Sequence, residues 1–194
     1  MAIAQTVRPL GQPQASGRPA APWSQADLTG AILGGQVAGL AMMGALAIGF
    51  YFFSPLGLMS RPLQIIAAVF AGDVALEVPP GIGHLFVGLI AHQLGPTLFW
   101  SLVFGVLSSR LRTREQPARS MALGLAVGLA AFALDVLVLV PWVSRHLSGH
   151  DLWGENVRLS WSIGAHGVFG LALGTLAQHF CQSHRRGRMA QRGL

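Results

Sequence analysis

Polar side chains crowd into a few short stretches of this chain, and between them run four segments that are almost wholly apolar: residues 30–53, 85–107, 121–140 and 159–180. Crossing the hydrocarbon core of a bilayer takes about 20 helical residues at roughly 1.5 Å rise each. Each run meets that length, so the pattern predicts four transmembrane helices. A fifth apolar patch, "PLQIIAAVFAG" at 62–72, is too short to span and is closed by Asp73 and Glu77. It predicts a short helix in the interface, or a re-entrant one, between spans 1 and 2.

The flanks divide the chain. Residues 1–26 are rich in Pro, Gly, Gln and Ala without the apolar core of a secretory signal, and read as a disordered tail. Residues 27–182 form the four-helix membrane domain, and 183–194 a basic tail. The fold class expected is an all-α integral membrane bundle.

Composition supports the choice of solvent. With 52% apolar residues, 10% charged and a mean hydropathy of +0.53, the chain holds more apolar surface than a water-soluble domain of 194 residues can bury. Its thirteen basic side chains are all arginine, and they flank hydrophobic runs without any nucleic-acid recognition motif. Nucleic acid is therefore not an expected partner. The lone Cys181 excludes an internal disulfide and a cysteine-based zinc site.

Arginine placement predicts the topology. Arg110, Arg112, Arg114 and Arg119 lie in the middle connection, Arg185, Arg186, Arg188 and Arg192 in the C-terminal tail, and Arg8 and Arg18 before the first span. The other two connections hold Arg61, Arg145 and Arg158, offset by Asp73, Glu77, Asp151 and Glu155. The positive-inside rule then puts both termini in the cytoplasm, with the 54–84 and 141–158 loops outside. The arginine-rich loop and tail are expected to meet anionic lipid head groups, at about 1 kcal/mol per residue.

Glycines at four-residue spacing predict how the helices meet. The pairs Gly30/Gly34, Gly35/Gly39, Gly124/Gly128 and Gly170/Gly174 each put small residues one turn apart, so that backbones approach closely. The order of features also suggests a weak duplication. Each half has a Gly-rich helix, a proline at its outer end (Pro55, Pro141), a loop, and a helix with an early histidine (His92, His166). Such halves would be parallel repeats about an axis along the membrane normal.

Three polar residues interrupt the spans at matching depth. Asp135 lies under two turns from the outer end of the third span, and His92 and His166 lie one to two turns into the second and fourth. A carboxylate there costs about 2.5–3.5 kcal/mol on insertion scales, so it should face the bundle and find a partner. Beside His92, Pro96 lacks the N–H that would bond the His92 carbonyl, and Gly95 loosens the same turn, so a helix break is expected there. The plain role for the cluster, with Ser101 and Ser162, is interhelical fastening. Its chemical roles would be axial ligation of a b-type haem by two imidazoles, a metal site, or a proton or ion path. A separate, weaker metal set is His146, His150 and Asp151 in the outer loop.

The ordered motifs "IIAAVFAG", "VPPG", "GLIAHQLGPTLFWSLVFGVL", "ALGLAVGLAAF" and "WSIGAHGVFGLALG", with Glu155-Asn156-Val157 ahead of His166, resemble small four-helix bacterial inner-membrane proteins of the YagU-like kind. The resemblance spans roughly residues 30–180. It implies four spans in a bacterial inner membrane and brings no catalytic residues with it. His92 and His166 match its histidines, whereas Asp135 does not.

Taken together, the sequence predicts a non-enzymatic multi-pass protein without a resident cofactor, packing as an accessory or assembly subunit against other membrane proteins or against itself. The alternative is a cofactor-binding or small proton- or ion-coupled transport protein built on His92, Asp135 and His166.

Overall fold

The computed structural model describes residues 25–113 and 116–191, with side chains for 28–113 and 116–183. The expected N-terminal tail lies outside the described residues except for Gln25 and Ala26, and so do Arg114 and the side chains of the basic tail beyond Ser183. The described chain is helical: α1 Gln25–Phe53, α2 Arg61–Ala71, α3 Ile82–Arg110, α4 Pro117–Ser148, α5 Leu152–Asn156 and α6 Leu159–Gln191. Four of them, α1, α3, α4 and α6, are long and apolar enough to cross a membrane.

The long helices pack antiparallel to their chain neighbours. Down the α1–α6 seam, Gly30 faces Cys181, Gly34 faces the backbone of Ala177, and Phe50 meets the Trp161 ring edge-on at 5.5 Å. On the other side of α6, Gly124 faces Gly170 and Gly174, and Gly128 faces the His166 carbonyl. Ser120 Oγ donates to the Gly174 carbonyl at 2.7 Å across this second seam. A side chain at any of these glycines would meet backbone or a buried sulfur. Lipid is as apolar as leucine, so contact here stabilises through dispersion and close polar approach rather than release of water. The α1–α3 seam is shorter: Gly35 faces Ser101, and Gly39 faces Gln93 and Thr97.

Helices α3 and α4 are each disturbed where they would meet. In α3, Gly95 leaves helical geometry (φ −83°, ψ −106°) within a wide turn over Gln93–Thr97 that holds Pro96. In α4, wide turns run through Phe132–Leu139, and the Val140 N–H reaches back to the Asp135 carbonyl. The third span was expected to end by Val140. Instead, α4 continues across Pro141 to Ser148 and stops at Gly149, whose φ of 86° is the left-handed cap that glycine adopts freely. Proline breaks a helix by removing one ladder bond and crowding the preceding turn. A ladder already widened ahead of Pro141 relieves both.

At the same end of the bundle α2 packs on α3, where Gly88 lies against the Leu63 carbonyl. The fully buried Gln64 donates to the carbonyls of Ala75 (3.1 Å) and Glu77 (2.9 Å), and Arg61 donates to the Leu76 carbonyl at 2.8 Å and Asn156 Oδ1 at 3.3 Å. These bonds fasten α2 to the turn that follows it and to α5. They also hold it as a wedge beside α3 and α4.

Candidate functional site

The wedge and the two disturbed helices leave a cavity of about 570 Å³. It lies between α2, α3 and α4, with Met42 of α1 and Phe169 of α6 at the back. His92, Asp135 and His166, each from a different helix, all line it. Its remaining wall is largely aliphatic and aromatic, including Phe70, Phe99, Trp100 and Trp153. Phe70 and Phe99 are also well exposed on the outside of the molecule, so the cavity opens sideways between α2, α3 and α4.

The state of each polar group follows from its hydrogen bonds. Gln36 on α1 and Gln93 on α3 form a reciprocal pair: Gln36 Nε2 donates to the Gln93 carbonyl at 3.2 Å, and Gln93 Nε2 donates to the Gln36 carbonyl at 3.1 Å. That orients the Gln93 amide so that Oε1 faces His92 Nδ1 at 3.3 Å. An amide oxygen only accepts, so the proton of His92 sits on Nδ1 and Nε2 carries a lone pair. His92 is 4% exposed, and its Nε2 is buried with no hydrogen-bond partner. His166 is set in the same way. Its Nδ1 donates to the Ser162 carbonyl at 2.8 Å, which leaves Nε2 as an acceptor. The Phe132 ring meets this imidazole edge-on at 5.7 Å.

Asp135 accepts one bond, from Trp100 Nε1–H at 2.7 Å. A carboxylate has about four lone-pair sites, so one indole leaves most of them unmet. Among the described residues no arginine or histidine nitrogen pairs with it, and no arginine lines the cavity. Its charge is met by a proton, or by a cation from outside the chain.

The break beside His92 falls where Gly95 and Pro96 were expected to put it. The carbonyl that gains a side-chain partner is that of Gln93, one residue further on, taken by Gln36. Ser101 donates back to the Thr97 carbonyl of its own helix, and Ser162 accepts from Trp153 Nε1 at 3.0 Å, joining α5 to α6. Trp100, Gln36 and Gln93, which set the states of Asp135 and His92, were not anticipated. A glutamine inside the Gly-rich run "GGQVAG" was the available signal.

The outer-loop set is not brought together. His146 stacks on Trp142 at 5.9 Å, Asp151 caps α5 through Gly154 and pairs with Arg145 at 3.7 Å, and His150 faces Glu155 and Asp73. Among the described residues no three His, Cys, Asp or Glu side chains stand close enough to hold one metal ion, the His92/Asp135/His166 set included. Haem fits the cavity poorly. The two Nε2 lone pairs suit iron, but haem brings two carboxylates, and no arginine is there to receive them.

No family model, curated protein or solved structure matches the chain, so its own geometry carries the functional argument.

Proposed function

We propose that this is a non-enzymatic four-span protein of the bacterial inner membrane that holds a small lipid-soluble molecule in the cavity between α2, α3 and α4. One observation carries the reading. A cavity of about 570 Å³ has a buried imidazole nitrogen, His92 Nε2, with no partner inside the protein. An unmet buried acceptor costs about 1–3 kcal/mol, and a chain that only needed to fasten its helices would close that gap. Apolar pockets with a few convergent polar groups are the usual form of small-molecule sites.

The orientation proposed is N-in and C-in. Arg110, Arg112 and Arg119 lie at the end of the bundle shared by the close of α3 and the start of α4. At the opposite end Arg145 pairs with Asp151, and Arg158 lies over the Trp161 ring at 5.4 Å. The free positive charge thus gathers at the first end, which the positive-inside rule makes cytoplasmic. In this reading α2 lies in the outer leaflet, and the cavity opens to that leaflet.

A second reading, an accessory subunit or homo-oligomer, is favoured by the stripe Ile82, Phe86, Ile90 and Leu94, all strongly exposed at four-residue spacing on α3. A partner helix could seat there. Native mass spectrometry of the protein released from its membrane separates the two. A chain carrying a small added mass that is lost in Ala91→Phe, a substitution into the cavity wall, supports the ligand site. A stable complex with other subunits and no added mass supports the second reading and sinks the first.

A further inference from the structure

We infer that the occupant is a lipid-soluble organic ammonium, a protonated primary or secondary amine on an apolar or aromatic body. The inference rests on the ligand-site reading above and adds the chemistry of the ligand.

The cavity offers more hydrogen-bond acceptors than donors. Every side-chain N–H on its wall is already used: His92 Nδ1 on Gln93, Trp100 Nε1 on Asp135, Trp153 Nε1 on Ser162, and His166 Nδ1 on the Ser162 carbonyl. Thr97, the one hydroxyl on the wall, has its oxygen toward His92 Nδ1–H at 3.4 Å and keeps its own O–H as the single side-chain donor to spare. What remains for a ligand is the Nε2 lone pair of His166 and the unmet oxygen sites of Asp135, while the Nε2 of His92, also without a partner, is buried. A ligand matched to these atoms must donate hydrogen bonds. Ligands whose polar end only accepts, such as quinones and carboxylates, would leave acceptor facing acceptor.

Charge points the same way. Both imidazoles are neutral in the arrangement their bonds impose, so Asp135 is the one group on the wall left to carry a formal charge. An uncompensated carboxylate in apolar surroundings favours a cation. The aromatic faces of Phe99, Trp100, Trp153 and Phe169 would add cation–π attraction, which is strongest where water is excluded.

An organic ammonium suits the wall better than a bare ion, because it needs only the one carboxylate and its body fills the apolar remainder. An ethanolamine phospholipid also carries an ammonium. Its phosphate would come in beside Asp135 with only the Thr97 hydroxyl to meet it, so a free amine is the better occupant.

The test uses the full-length protein in phosphatidylcholine nanodiscs, with binding followed by tryptophan-to-naphthyl energy transfer. The probes are 2-(1-naphthyl)ethylammonium, the neutral 2-(1-naphthyl)ethanol and the anionic 1-naphthylacetate. The ammonium should bind at least tenfold more tightly than the alcohol, and the acetate least. Asp135→Asn, which keeps an oxygen for Trp100, should erase the tenfold preference while alcohol binding stays unchanged, showing that the cavity is intact. Equal binding of ammonium and alcohol, or a preference for the acetate, overturns the ammonium assignment and leaves the ligand site standing. Loss of the probe to phosphatidylethanolamine nanodiscs overturns the free-amine assignment. If no probe binds, or if Ala91→Phe blocks none of them, the ligand site itself falls and the ammonium with it.

Discussion

The α1–α6 seam and the α3–α4 seam would be equivalent if the two halves of the chain were repeats, yet one is shut along its length and the other stands open. The shut seam is lined by Gly30, Gly34, Ala177 and Cys181, and its backbones touch. The open seam carries Phe99, Trp100, Leu134 and Leu139, along with both helix disturbances, and encloses the cavity. What differs is the size of the residues facing across and the regularity of the ladders behind them. In lipid, where burial alone gives little, small residues decide where helices close. Large residues on irregular helices decide where they do not. A repeat in sequence order therefore does not extend to the packing, and the polar residues collect where packing fails.

The sharpest way to break the comparison is to add the same side chain on each side. Gly34 lies against the backbone of Ala177 and Leu176, which cannot step aside. Gly34→Leu should cost about 3 kcal/mol or more, at or beyond the top of the usual overpacking range. Reversible unfolding of the detergent-solubilised protein would measure it, and a cost under about 1 kcal/mol would mean that the glycine seam does not hold the bundle.

The open seam should instead depend on its hydrogen bonds. Trp100→Phe removes the N–H that Asp135 accepts, and Trp153→Phe removes one accepted by the neutral Ser162 hydroxyl. Bonds to charged groups contribute about 1.5–3 kcal/mol and neutral ones about 0.5–1.5. Trp100→Phe should therefore be the more damaging in the same unfolding assay. Equal costs would mean that Asp135 carries no charge in the empty protein.

Smaller still is the expected effect of Ala91→Leu. Ala91 lines the cavity, so the added methylenes enter empty space, and stability should stay within about 1 kcal/mol of the parent. Set beside Gly34→Leu, this states the difference between the seams as a ratio of costs for similar added bulk.

Depth in the membrane can be counted along one dimension, and rotation about a helix axis cannot. The four spans and the shared level of His92, Asp135 and His166 follow from counting residues between charged flanks. The glycine pairs were legible for a related reason: four-residue spacing puts both members on one face whatever the helix's rotation. Which side chain meets Asp135 depends on rotational phase, and the wide turns at Gln93–Thr97 and Phe132–Leu139 shift that phase midway along both helices. Trp100 was therefore not visible as its partner, and the Gln36–Gln93 pair was not visible as what sets the His92 proton. The same wide turns carry α4 past Pro141, where proline alone signalled an end.

The last contrast lies outside the membrane-spanning helices, where a histidine has the partners that His92 lacks. His150 Nδ1 donates to Glu155 Oε2 at 2.9 Å, and its Nε2 lies 3.8 Å from Asp73, so the imidazole links the turn after α2 to α5. The hydrogen bond to Glu155 raises its pKa above the ordinary 6.5, loss of solvent opposes that, and the negative charges of Glu155 and Asp73 add to the rise. A group whose pKa rises on folding contributes stability that is fully present below the unfolded value. That contribution is lost as pH climbs through the folded value. The wild type should therefore melt above His150→Gln at pH 5.5, with the difference shrinking as pH rises past 6.5 and through the raised folded value. The side chain is exposed and its pairs are screened, so this should be the smallest of the four effects, and it should shrink further in high salt. A difference that instead grew with pH would mean that the neutral imidazole is the form the fold prefers, and that this link between α5 and the turn behind α2 is held by its backbone alone.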